Sequence, residues 1–323
     1  MDVEEDRLSS LPNYIVHKIL SFLDITDVIG TSILSSRWRS IWTSMPYLKF
    51  TSQDFPKYLK FSKFVTHVLS RRNSLTQVYS LKLTFRGKAT QAVVRRILNY
   101  AFSRNIQQLD VVCLLENDIE FPLSLFTSQS LKHLSLTMQS DRSCGYRFYN
   151  SYLSLTWELP SLTTLDLHSV TLRDDINVGI GFLSKCANLK NLTLRHIKTT
   201  GSNGLSICHP QLSNITLEDT HYYKVKVVTV VAPQLQNLTI RSNNALHVVL
   251  STPHLTSLFY KGSRPLRLST DGLHSLEKAN ICVSSPEDAN AHQIVCLLQQ
   301  LHNVHSLTLN LEIAEVLYNC ILQ

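Results

Sequence analysis

Reactive side chains are present in this sequence, but not in the groupings that most catalytic chemistry needs. His302 and His305 stand three apart, as two ligands of one metal ion would, yet no cysteine or carboxylate pair at ligand spacing joins them. They are expected to be ordinary surface histidines. The carboxylates Asp174-Asp175 and Glu312/Glu315 are close enough in sequence for acid-base work, but neither pair has a pocket-forming context, so both are expected to be solvated. Gly179-Ile180-Gly181 lacks the third glycine of a dinucleotide loop, and neither a phosphate-binding Gly-Lys-Ser/Thr nor a Gly-x-Ser-x-Gly elbow occurs. The seven cysteines, Cys113, Cys144, Cys186, Cys208, Cys282, Cys296 and Cys320, are odd in number and scattered. That pattern fits reduced thiols used as small apolar side chains, with no disulfide. No catalytic residue, metal site or cofactor is expected.

Three glycosylation-type triplets, Asn191-Leu192-Thr193, Asn214-Ile215-Thr216 and Asn237-Leu238-Thr239, recur at equal spacing. Without a secretory signal, their spacing says more than their chemistry. From residue 78 a pattern apolar-x-x-apolar-x-apolar keeps returning: Val78/Leu81/Leu83, Ile106/Leu109/Val111, Leu131/Leu134/Leu136, Leu162/Leu165/Leu167 and Leu189/Leu192/Leu194. It continues as Leu212/Ile215/Leu217, Leu235/Leu238/Ile240, Leu255/Leu258/Tyr260, Leu276/Ala279/Ile281 and Val304/Leu307/Leu309. The mean period is about 25 residues, inside the range of leucine-rich repeats. A strand alternates its faces, so the last two apolar positions of each unit point into a core that only stacking on a neighbour can close. The expected fold is α/β: an elongated, irregular leucine-rich-repeat solenoid with a curved parallel sheet on one side and helices and loops on the convex side. The asparagine usual at the turn after the strand is mostly missing, with Val170 and Ile197 in its place and only Asn243 fitting.

Function is then expected on the exposed strand face. The residues after each last apolar position point there: Thr137, His168, Arg195, Glu218, Arg241 and Lys261. With Asp166, Asn191 and Phe259 they are the candidate partner contacts. Four of these nine are His, Arg or Lys, which suits a partner presenting an acidic segment. Two helices frame the array. Residues 90–102 put Val93, Val94, Ile97, Leu98 and Ala101 on one face behind a Thr90 cap. Residues 286–301 do the same behind Ser285, with Pro286 in the first position, Glu287 and Asp288 in the first turn, and Ile294, Val295, Leu297, Leu298 and Leu301 inward.

Composition sets the outer bounds. Hydrophobic residues are 44% and charged residues 17% of 323, ordinary globular usage for one elongated or two compact domains. No apolar run approaches the roughly 18–20 residues of a membrane span, and the start, Met1-Asp2-Val3-Glu4-Glu5-Asp6, is acidic where a secretory signal is basic. A soluble intracellular chain, in nucleus or cytoplasm, is expected. The net charge is +7, but the first fifty residues hold five Lys/Arg against six Asp/Glu, so the body is basic. Its charges are dispersed and lack an aromatic-basic motif, which argues against nucleic acid as the partner.

The first fifty residues read as three short helices. Residues 11–23 carry apolar side chains at 15, 16, 19, 20 and 23 with Pro12 near the start; Thr26 can cap a second helix through Val28, Ile29, Ser32 and Ile33; and Ser35–Trp42 follows with Trp38 and Trp42 four apart. So small a unit with so many apolar side chains is marginal alone, and some of them, Leu20 and Trp38 included, are expected to be covered by another protein. Gly30 costs its helix about 1 kcal/mol against alanine. The run Leu11-Pro12, Ile19-Leu20-Ser21-Phe22-Leu23, Asp27-Val28, Thr31-Ser32-Ile33-Leu34-Ser35, Arg37-Trp38 and Ile41-Trp42 resembles the F-box, in the form that plants place before leucine-rich repeats. Ser36 departs from the basic residue usual there, and Ile29-Gly30 from the usual pair.

The resemblance implies a receptor. In that family the box docks on a Skp-type adaptor, which joins it to a cullin, and the repeats hold a protein substrate for ubiquitination by other subunits. Leu11, Pro12, Ile19, Leu20, Val28, Leu34 and Trp38 would by resemblance touch the adaptor. The expected layout is an F-box at 1–50, a helical linker at 51–77, repeats at 78–285, and a last repeat at 286–323. Its tail from Glu287 to Leu317 resembles the beginning of the FBD region, and Gln323 falls short of that region's usual length. The rival reading is a repeat scaffold that assembles proteins without ubiquitin transfer.

Overall fold

The computed structural model describes residues 10–87, 90–115, 120–138, 152–153, 157–173, 183–200, 204–219, 227–270, 272–284, 286 and 291–321. The chain divides into two compact units, Met1–Ser151 and Tyr152–Gln323.

The first unit opens with α1 (Asn13–Leu20), α2 (Ile25–Gly30) and α3 (Trp38–Ile41), the last two joined through a 3-10 turn at Thr31–Ile33. Pro12, with no N–H to lose, sits at the N-cap, where its carbonyl accepts from Ile15 (3.0 Å) and Val16 (3.2 Å). The predicted cap at Thr26 is corrected: Asp24 holds that place, and its carboxylate is drawn to Lys49, 3.2 Å away, instead of to the helix. Val16, Leu20, Ile25, Val28, Trp38, Ile41, Trp42 and Met45 form the core of this head.

The sheet begins earlier than residue 78. Strand β1 (Tyr47–Thr51), immediately after the head, pairs in parallel with β2 (Ser80–Gly87), Leu48 opposite Leu81 and Phe50 opposite Leu83. Between them α4 (Tyr58–Arg71) buries Phe61, Val65 and Val68. Then come α5 (Gln91–Phe102), β3 (Gln108–Leu115) and β4 (His133–Met138), again parallel. In α5 the five predicted residues are the buried ones. Thr90 is its N-cap, but the hydroxyl meets Tyr58 Oη at 3.2 Å and makes no side-chain cap.

The second unit contains β5 (Tyr152–Leu153), β6 (Thr164–His168), β7 (Thr171–Arg173), β8 (Asn191–Arg195), β9 (Lys198–Thr200), β10 (Gly204–Cys208), β11 (Asn214–Asp219) and β12 (Val227–Val231). It continues with β13 (Asn237–Ser242), β14 (His247–Ser251), β15 (Ser257–Gly262), β16 (Arg267–Thr270), β17 (Lys278–Val283), α6 (Ala291–Gln300), β18 (Ser306–Leu309) and α7 (Leu311–Ile321). The front strands of this unit run β6-β8-β11-β13-β15-β17-β18, and behind them run a four-stranded sheet, β10-β12-β14-β16, and a three-stranded one, β5-β7-β9.

The expectation of helices and loops on the back is therefore corrected for most of these repeats: their backs are strands. From Leu212 onward repeat length accounts for the difference. Val78 to Ile106 and Leu276 to Val304 are steps of 28 residues and hold α5 and α6, whereas Leu212, Leu235, Leu255 and Leu276 follow at 23, 20 and 21. The shorter steps leave room only for runs such as Val227–Val231 and His247–Ser251, whose alternation buries Val228, Val230, Val248 and Leu250. A further repeating device precedes the front strands: the N–H groups of Leu162, Leu189, Leu235, Leu255 and Leu276 donate to the carbonyls of Leu159, Cys186, Ala232, Thr252 and Leu273 at 2.9–3.1 Å. Pro160, Pro233 and Pro253 stand second in three of these turns, where a fixed φ is favourable.

After β6 and β8 the chain turns through left-handed Ser169 (φ 56°) and His196 (φ 52°), whose N–H groups bond to the carbonyls of Arg195 and Glu218 at 2.8 and 2.7 Å. That kink sends Val170 and Ile197 into the core, where the usual repeat has asparagine. Helix α6 is described from Ala291 to Gln300, inside the predicted 286–301, and buries Ala291, Ile294 and Leu297. Ser285, Glu287 and Asp288 lie outside the described residues, as do Cys144, Asp174, Asp175, Gly179–Gly181 and the Cys320 side chain. Cys113, Cys186, Cys208, Cys282 and Cys296 are free thiols, and burial pushes Cys113 up to about 12 and Cys186 to about 11. No described helix is long and apolar enough to cross a membrane.

Candidate protein-interaction surfaces

The head leaves a set of large apolar side chains in solvent. Tyr14 is 71% exposed, Ile19 47%, Phe22 75%, Leu23 38%, Ile33 89% and Leu34 58%, all within the 21 residues from 14 to 34. Scattered exposed leucines are ordinary, but this density on so small a helical body marks a surface awaiting a partner. Of the seven residues predicted to touch an adaptor, Pro12, Ile19 and Leu34 are exposed and Leu11 is half-buried. Leu20, Val28 and Trp38 are corrected to core positions, at 2%, 0% and 6% exposure. The reason is geometric: α1 turns Val16 and Leu20, four apart, inward, which leaves Ile19 facing out. Arg37 fastens the arrangement by donating to Asn13 Oδ1 (2.6 Å) and to the Leu11 carbonyl, so the start of α1 is tied to the residue before α3.

In the second unit the exposed face of the front strands carries three rows in register. The first is Thr164, Asn191, Asn214 and Asn237. Asn237 Nδ2 donates to Asn214 Oδ1 and Asn214 Nδ2 to Asn191 Oδ1, both at 2.7 Å, while Asn191 Nδ2 reaches Thr164 Oγ1 at 3.3 Å. The equal spacing of the three triplets is this amide ladder, and Asn191 is engaged in it. The second row is Asp166, Thr193, Thr216, Thr239, Phe259 and Asn280, and the third is His168, Arg195, Glu218, Arg241, Lys261 and Cys282. Thr137 lies in β4, in the first unit.

The rows separate the predicted residues by chemistry. Arg195 Nε lies 3.7 Å from Glu218 Oε2, so these two charges offset each other. The rings of His168 and His196 are 5.0 Å apart, and the His168 pKa is lowered by burial first, then by the charges of His196 and Arg195. Arg241 instead lies over the Phe259 ring at 5.0 Å, a cation-π contact, with Lys261 beside it. Among the described residues neither Arg241 nor Lys261 forms an ion pair. His302 Nδ1 meets the Gln299 carbonyl (2.8 Å), and His305 lines an open cleft of about 580 Å³ with His254, His274 and Glu277. Among the described residues no group of three His, Cys, Asp or Glu side chains could hold a metal ion.

Two family profiles match the chain: the F-box domain over residues 8–50, and the LRR repeats of FBD-associated F-box protein At5g56370 over residues 94–302, well over half of the chain. The chain belongs to the FBD-associated F-box/LRR-repeat family. Relatives in Arabidopsis thaliana include FBD-associated F-box protein At3g52670, 30% identical over 283 residues that cover 85% of this chain and 64% of that protein. F-box/LRR-repeat protein At3g26922 is 30% identical over 67% of this chain and 68% of its own length, and F-box/FBD/LRR-repeat protein At2g04230 is 31% identical over 67% and 48%. The chain spans about half to two thirds of the length of these relatives.

In this F-box/LRR protein two buried polar groups carry no sequence signal. Arg72 is 6% exposed between the head and the first repeats. His209, 3% exposed, donates from Nε2 to the Cys186 carbonyl (3.1 Å) and accepts at Nδ1 from the Gln211 N–H (3.2 Å). Those roles require the neutral ring, and burial lowers its pKa, against the Cys186 carbonyl, which raises it. The unfolded chain therefore takes up the proton first: the stability is present above the ordinary value near 6.5 and is lost as pH falls toward the lowered one. Melting temperature is expected to drop between pH 7 and pH 5.5, and His209→Gln, which keeps a polar amide but does not titrate, to flatten that drop. Equal slopes for the two proteins would refute it.

Proposed function

We propose that the chain is the substrate-receptor subunit of an SCF-type ubiquitin ligase, docking on a Skp-type adaptor, and through it a cullin, with its head and holding a protein substrate on its repeats. The observation that carries this reading is the exposed apolar set of the head within an F-box match. F-box domains in general bind Skp-type adaptors, and an adaptor is the kind of partner that would desolvate Ile19, Phe22, Ile33 and Leu34. Pro12 and Leu11 border the set, while Leu20, Val28 and Trp38 hold it in shape from within. The substrate reading rests on the strand face, with Asp166, His168, Asn191, Arg195, Glu218, Arg241, Phe259 and Lys261 as its candidate residues. An acidic segment finds its charge complement at Arg241 and Lys261, since Arg195 is neutralised by Glu218.

The contribution of such a subunit is proximity. Holding a substrate near a ubiquitin-loaded enzyme raises its effective concentration and restricts its orientation, with the bond-making left to other subunits in the nucleus or cytosol. The test is direct: the full chain and a purified Skp-type adaptor, mixed at micromolar concentration, are expected to elute together as a one-to-one complex in size-exclusion chromatography. Separate elution at tens of micromolar overturns the receptor reading.

A further inference from the structure

The path of the chain between head and repeats is short and tied down at every step. The head ends in a 3-10 turn at Trp42–Ser44, and β1 follows at Tyr47, already a strand of the repeat sheet. After α4 the chain returns along the head: Asn73 N–H donates to the Thr43 carbonyl (3.0 Å), and Tyr79 and Ser80 N–H donate to the Pro46 carbonyl (2.8 and 3.2 Å). Val78 N–H donates to the Arg104 carbonyl beyond α5 (3.1 Å). Residues 72–80 are stitched to both sides.

Arg72 lies at the centre of this seam, at the C-cap of α4. Its guanidinium donates from Nη1 to the Trp42 carbonyl (3.2 Å), from Nη2 to the Met45 carbonyl (2.5 Å) and from Nε to Tyr100 Oη on α5 (3.1 Å). None of the ion pairs among the described residues includes it, and burial lowers its pKa. A buried charge without a carboxylate is costly, and similar apolar side chains often serve stability as well. What the guanidinium adds is direction: a planar fork whose donors meet three acceptors at fixed angles, two on the head and one on the repeats. The head's acceptors flank the 3-10 turn at Trp42–Ser44: the Trp42 carbonyl, which also accepts from the Met45 N–H at 3.4 Å, and the Met45 carbonyl just past the turn. Arg104 braces the same place, over the Tyr100 ring at 5.6 Å and donating to the Ser74 carbonyl.

We propose that Arg72 is a positioning residue that locks the head to the first repeats of its own unit, so that the adaptor-facing helices and β1–β3 move as one body. Its functional consequence rests on the receptor reading; the lock itself does not. Hydrogen exchange on the full chain tests it. In Arg72→Met, which keeps length and apolar volume but removes all three donors, the amides of Asn73, Tyr79 and Ser80 are expected to exchange at least ten-fold faster, while those of α1 and β3 keep their rates. A merely structural role would lower protection throughout the first unit together, and that uniform result, or no change, overturns the lock. Where Arg72→Met does not fold, Tyr100→Phe removes one acceptor and is expected to act on the same amides to a smaller extent; unchanged rates there overturn it equally. Adaptor affinity is expected to stay within two-fold in either variant. Absence of adaptor binding by the native chain would sink the receptor reading and leave the exchange result to decide the lock.

Discussion

Ile33→Asp combined with Leu34→Asp is expected to weaken adaptor binding by a few hundred-fold without lowering the melting temperature by more than about 2 °C. The two side chains are 89% and 58% exposed in the free chain, on the 3-10 turn between α2 and α3 and just after it, so the fold loses nothing when they become polar. In a complex they would be desolvated, and a large apolar residue at the centre of an interface typically carries about 2 kcal/mol, with each 1.4 kcal/mol a factor of ten. Leu20→Ala is the contrasting case. At 2% exposure it is core, its loss is expected to cost about 2–5 kcal/mol of stability, and any effect on binding should disappear once the folded fraction is corrected for. Titration of each variant against the adaptor by calorimetry, with thermal melts alongside, separates the two. Unchanged affinity in the double aspartate variant would mean that the exposed apolar set is not the docking surface.

Gly262→Ala is expected to be strongly destabilising in the second unit. A Cβ there would stand 2.3 Å from Tyr260 Oη and 2.4 Å from the Ser242 carbonyl, its register partner on β13. Neither neighbour has room to give: Tyr260 is fully buried and donates to the Arg264 carbonyl at 2.5 Å, and the Ser242 carbonyl belongs to a strand held in the sheet. The site must either expel the tyrosine or push β13 and β15 apart, and overpacking of that kind costs about 3 kcal/mol or more, near 10 °C in a unit of this size. Gly204→Ala, whose new Cβ would lie 3.4 Å from the Val227 carbonyl, and Gly30→Ala, which meets nothing within 4 Å in an exposed helix end, are the matched controls. The latter should raise stability by up to about 1 kcal/mol. A melting temperature for Gly262→Ala within 2 °C of native would show that these strands separate more easily than the packing implies.

Much of this architecture is legible in the sequence because it repeats. The apolar spacing that begins at Val78 identifies the front strands correctly, and the faces of α5 follow from helical periodicity alone. The first strand is harder to see although Met45/Leu48/Phe50 has the same spacing, since those residues also lie in the segment that resembles the F-box. Back strands are masked by the helix-backed form usual for such repeats, yet step lengths of 20–23 residues leave no room for helices. The burial of Leu20, expected to be covered by another protein, has a different cause. Periodicity shows that α1 has an apolar stripe, but the stripe is wide enough to include Ile19 and Leu20, only about 100° apart, and nothing local says which of them turns inward. Arg72 and His209 are single polar residues outside any pattern, and only the fold reveals the carbonyls they meet.

The amide ladder bears on how such a chain changes over generations. Asn191, Asn214 and Asn237 occupy one column at steps of 23 residues, each donating to its predecessor, and the strands that carry them pair in the same register. Excising or duplicating one 23-residue step would thus shorten or lengthen the column by a rung and re-form the same pairing on either side. Unequal recombination can in this way resize the strand face in whole-repeat increments, while the helical head is inherited intact.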